Sequence, residues 1–124
     1  MKHLCTATAL IELGAGLALG CFPSATAALL VGVALEDSAA LTVARIGGTG
    51  ITSLGVACWL ARGDAHSKAA RGLIVAMLLY NVAAVALLAF AGCGFGLTGQ
   101  ALWPGVGLHA VMSLWCAAFL IKTA

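Results

Sequence analysis

Four stretches of about twenty residues, each nearly free of charge, occupy most of this chain: roughly 4–22, 39–60, 70–91 and 102–121. A helix of about 20 apolar residues crosses a ~30 Å hydrocarbon layer, so each stretch has the length and composition of a transmembrane helix. Short breaks separate them. Pro23 follows the first, Glu36-Asp37-Ser38 caps the start of the second, and Arg62 to Lys68 makes a polar turn before the third. The glycine-rich run from Gly92 to Gln100 leads to the fourth, where Pro104 sits in the first helical turn and its missing N–H has no helical partner to lose. The segment 24–35 is apolar but too short to span, and is expected to form a short interfacial or re-entrant helix. The sequence thus predicts an all-α integral membrane four-helix transmembrane bundle, a single domain over 1–124.

Composition closes the alternatives. The 124 residues are 63% hydrophobic and only 8% charged, against about 25% charged in soluble domains. Disorder requires the opposite balance. Lys2, the first apolar run and Ala25-Thr26-Ala27 resemble a cleavable signal peptide, but Glu12 weakens that reading by placing a carboxylate in the apolar run.

Charge placement predicts orientation. Five of the six basic residues (Lys2, Arg62, Lys68, Arg71 and Lys122) fall at one end of a four-span bundle, while Glu36 and Asp37 fall at the other. The basic end is expected in the cytoplasm. This gives an inner-membrane protein with both termini cytoplasmic, His3 and His66 on that side, and Trp103 near the outer interface.

Sixteen glycines suit close helix contacts in a membrane. Gly16 and Gly20 form a GxxxG in the first span, and Ala44 and Gly48 form a small-xxx-small pair in the second. Packing within the chain is the expected use, and a contact between subunits is the alternative.

Each span also carries a polar residue that lipid would penalise: Glu12, Arg45, Asn81 and His109. A charge at mid-membrane costs about 2.5–3.5 kcal/mol on insertion scales, so these side chains are expected to face inward. From a rise of ~1.5 Å per residue, Glu12 and Asn81 lie about 15 Å, and Arg45 and His109 about 10 Å, from the outer ends of their helices. A long arginine covers the difference, and the four are expected to meet. Helical spacing places Cys5, Thr8, Glu12 and Gly16 on one stripe of the first span. Arg45, Thr49, Thr52 and Ser53 share a stripe of the second, and Gly105, His109, Ser113 and Cys116 share one of the fourth. The candidate cluster is therefore Glu12, Arg45, Thr49, Asn81, His109 and Ser113, with Glu12 and Arg45 as its expected ion pair. Tyr80, beside Asn81, is expected to hydrogen-bond across the bundle. The cluster reads either as a brace that fixes helix register or as a polar site, in which His109 is the residue able to change charge near neutral pH.

The five cysteines show no CxxC spacing, so no metal site follows from them, and small apolar packing is their expected role. Cys21 and Cys93 lie near the outer ends of their spans, where an oxidising compartment would permit a disulfide. No nucleotide-binding loop, dinucleotide fingerprint or HExxH occurs. No cofactor and no nucleic-acid partner is expected.

Arg45, Gly48, Leu54 and Gly55, followed by Trp59, resemble the second span of small bacterial four-helix membrane families of the DoxX-like kind. The resemblance covers about one span, and implies a fold but no catalytic residues. Cys21-Phe22-Pro23 is similar to a stretch in small mercury-uptake membrane proteins, but the paired cysteines of those proteins are missing here.

Together these features lead to the expectation of a non-enzymatic protein that binds or passes a small solute or ion. Its expected partners are the lipid bilayer and either copies of itself or another membrane protein. An accessory subunit of a larger membrane complex is the second expectation. A small redox protein or enzyme using Glu12 and His109 is the third.

Overall fold

A computed structural model describes residues 1–64 and 67–122. His66, expected on the cytoplasmic side, lies outside the described residues. Five helices follow in order: α1 (Lys2–Cys21), α2 (Pro23–Val31), α3 (Ser38–Ala61), α4 (Lys68–Phe95) and α5 (Leu102–Lys122). Four of them, α1, α3, α4 and α5, are long and apolar enough to cross a membrane. The short α2 falls where a non-spanning segment was expected, although it stops at Val31 instead of reaching residue 35.

Local chemistry explains most helix ends. Pro23 opens α2 at its first turn, where a missing N–H is harmless. Gly32 ends it with φ 81°, a left-handed conformation that glycine adopts without a Cβ penalty. Asp37 caps α3 by accepting from the Ala40 N–H at 2.8 Å, and Ser67 caps α4 by accepting from Ala70 at 3.1 Å. One boundary differs from expectation. Residues 92–95, expected in a glycine-rich connection, continue α4 to Phe95, and the stop comes at Gly96 with φ 68°. The reason is packing: a side chain at Gly92 would press on Leu102 and Trp103, so glycine there lets α4 and α5 stay in contact to their ends.

The helices pair as α1 with α3 and α4 with α5. Both pairs are antiparallel. Gly16 faces Gly48 and Thr52 while Leu13 faces Gly55, and Gly92 faces Leu102 while Asn81 faces His109. The α1–α3 contact is backbone on backbone, because a Cβ on Gly48 would lie 2.5 Å from the Gly20 nitrogen and one on Gly16 would lie 2.5 Å from the Thr52 nitrogen. The glycine motif of the first span is thus consumed inside the chain.

The two pairs meet along a core of Leu4, Cys5, Ala9, Cys58, Ile74, Met77, Met112 and Cys116, near the end that carries both termini. Cys5, Cys58 and Cys116 come from three different helices and are almost fully buried, as apolar packing requires. Cys21 and Cys93 are exposed free thiols, so the disulfide considered between them is not formed. The other half of the bundle is less tightly filled.

Candidate functional site

At the boundary between the packed half and the open half, α4 and α5 are joined by a polar pair. The Asn81 side chain is fully buried. Its amide nitrogen donates to the Met77 carbonyl at 2.8 Å, one turn back on α4, and its carbonyl oxygen stands 2.8 Å from His109 Nδ1 on α5. Ser113 donates its hydroxyl to the His109 backbone carbonyl at 2.8 Å, within α5. Buried polar groups without partners cost about 1–3 kcal/mol each, and the Asn81 amide avoids that cost at both ends.

Glu12 enters from α1 at the same level and is also buried. The Tyr80 phenol lies beside its carboxyl group, and Oε2 has no hydrogen-bond partner. The Tyr80 ring in turn meets the His109 ring edge to face, with centroids 5.6 Å apart and planes at 83°. A short polar layer therefore runs Glu12, Tyr80, His109, Asn81 across three helices.

Above that layer is a cavity of about 460 Å³. Apolar residues of all five helices form its walls, among them Leu19, Leu30, Ile51, Leu88 and Leu108, and Tyr80 and His109 supply its polar edge. No carboxylate, lysine or arginine lines it. A side crevice of about 240 Å³ shares Leu30, Tyr80, Leu88 and His109 with the cavity and extends to Leu87, which is exposed on the outer surface of α4.

The short α2 covers the cavity. Thr26, Ala27, Leu29, Leu30 and Val31 all border it. The cover is fastened to the α4–α5 connection by one backbone bond, Ala101 N–H to Leu29 carbonyl at 2.9 Å. Beside this bond Gly99 lies so close to Leu30 that a Cβ there would overlap the Leu30 carbonyl. A segment expected to rest at the interface or to re-enter thus roofs a cavity.

Four of the six candidate residues sit together: Glu12, Asn81, His109 and Ser113. Arg45 and Thr49 do not. Both are exposed on the outer side of α3, and the expected Glu12–Arg45 ion pair is absent among the described residues. Arg45 instead borders a groove of about 350 Å³ beside Gly16, Gly20 and Thr52. The physical reason lies in the glycine contact. With α1 and α3 backbones touching, no space remains between them for a guanidinium. Thr49 and Ser53 return their hydroxyls to the carbonyls of Arg45 and Thr49, at 2.9 Å each, so neither needs a partner in the bundle interior.

Sequence reasoning left Tyr80 outside the cluster, although the tyrosine next to a buried asparagine was the available signal. The cavity itself had no sequence signal, because its walls are leucines and alanines like those facing outward. Among the described residues no group of three histidine, cysteine or carboxylate side chains is arranged to hold a metal ion. No family model matches the chain, and neither a curated protein nor a solved structure matches it. The site's own geometry therefore carries the functional reading.

Proposed function

We propose that this protein is an inner-membrane binding protein for a small lipophilic molecule, held in the cavity under α2 with its polar end at Tyr80 and His109. The carrying observation is a mostly apolar chamber that meets the polar groups of Tyr80 and His109. Small-molecule sites typically measure about 300–1,000 Å³ and set a few polar groups in an apolar lining, and this cavity has that size and that distribution. The side crevice toward Leu87 supports loading sideways, from the lipid. The five basic residues at the terminal end support a cytoplasmic location for both termini. The residues that line the chamber all come from one chain.

The test is native mass spectrometry of protein released from a mild detergent. The wild-type protein is expected to carry a small apolar adduct, and the Gly105→Phe variant, which fills the chamber between Leu88 and Leu30, is expected to lose it. A wild-type protein without an adduct, or a variant that keeps it, would count against the proposal.

A further inference from the structure

The hydrogen bonds of Asn81 dictate what kind of polar end the cavity accepts. A backbone carbonyl can only accept, so the Asn81 group facing Met77 O must be the N–H₂. The Asn81 group facing His109 is then the carbonyl oxygen, which also only accepts. His109 Nδ1 must therefore carry a hydrogen. In the neutral imidazole this leaves Nε2 as an acceptor, and Nε2 has no partner among the described residues.

Tyr80, the other residue of the polar edge, has its phenol beside Glu12. At His109 the polar edge of the cavity thus presents an acceptor. An incoming molecule whose only polar atom is an ether or ketone oxygen would leave His109 Nε2 without a donor. One that brings a hydroxyl would complete His109. A charged donor is disfavoured, because no carboxylate lines the cavity and Glu12 stands behind Tyr80. Building on the proposed binding role, we infer that the ligand is a neutral lipophilic alcohol or phenol whose hydroxyl donates to His109 Nε2.

A matched pair of probes tests this: 4-butylphenol and 4-butylanisole, which share an apolar body and differ in the donor. Each is titrated into the purified full-length protein in one detergent, with partition into empty micelles measured separately. A neutral hydrogen bond is worth about 0.5–1.5 kcal/mol, so the phenol should bind roughly two- to tenfold tighter than the ether. The double variant Asn81→Leu, His109→Phe removes both halves of the buried pair while keeping its bulk, and should reduce the ratio to about one by weakening the phenol. Equal binding of both probes to the wild type overturns the hydroxyl inference and leaves the cavity reading standing. A preference that survives in the double variant overturns it as well. Binding of neither probe removes the cavity reading and the inference with it. Independently of any ligand, ¹⁵N spectra of His109 in a His3→Gln, His66→Gln background should show the hydrogen on Nδ1, and a hydrogen on Nε2 in the neutral ring would overturn the argument at its first step.

Discussion

His109 Nδ1 and the Asn81 carbonyl oxygen stand 2.8 Å apart and form the polar tie that links α4 to α5 deep in the bundle. Because Asn81 is also anchored to Met77 O, the histidine ring is held by a group that is itself fixed. Replacing Asn81 alone by leucine takes the acceptor from the half-buried Nδ1–H. That should cost about 1–3 kcal/mol in reversible unfolding from detergent. The double change with His109→Phe should recover most of the loss, whereas additive losses would mean that the two residues act separately.

Glu12 and Arg45 should behave as strangers. Removing one partner of a buried ion pair costs about 3–5 kcal/mol, and such a pair would show strong coupling in a double-mutant cycle. Here Arg45 is on the outside of α3 and Glu12 is enclosed. The cycle through Glu12→Gln and Arg45→Met should give a coupling below about 0.5 kcal/mol, the limit for independent sites.

At Gly48 the backbones of α1 and α3 touch, and valine there has nowhere to go because the opposing atoms are Gly20 and Gly16 backbone. Overpacking costs typically about 1–3 kcal/mol when side chains can adjust, and backbone cannot adjust so cheaply. Gly48→Val should therefore lower thermal stability in detergent by at least that range. Gly50→Val, at a glycine with open space around it, is the matched control and should have a much smaller effect.

Gly99 tests the roof. A methyl group at this position collides with the Leu30 carbonyl and should lift α2 off the α4–α5 connection without touching the α1–α3 contact. Ala27, buried on the cavity side of α2, reports the opening. With Cys21 and Cys93 replaced by serine, thiol labelling at Ala27→Cys should be faster in the Gly99→Ala background. An unchanged rate would mean that the roof is held by something other than this contact.

How much of this was legible in the sequence differs by feature, for physical reasons. The long helices were legible because the apolar runs are long and the capping residues Asp37 and Ser67 sit where chain breaks are needed. The inward face of α1 was legible too: Cys5, Thr8, Glu12 and Gly16 are all buried as a stripe. On α3, polarity does not mark the buried face. A threonine or serine in a helix can satisfy itself on the preceding turn. An arginine side chain on the outside can lean toward the N-terminal end of its helix and snorkel toward the polar layer. The face of α3 that packs is instead marked by Gly48 and Gly55. The cavity was not legible at all, since a chamber is a mismatch in volume between helices and no pattern within one helix records it.

In the proposed function the chamber beneath α2 holds a ligand with its polar end at His109. A crystal or electron-microscopy map of the protein with an alkylphenol brominated at the end of its chain tests this most directly. The hydroxyl is expected within hydrogen-bonding distance of His109 Nε2 and the bromine among Leu30, Leu88 and Leu108. Bromine found only on the outer surface of the helices, with the chamber collapsed or filled by repacked side chains, would contradict it.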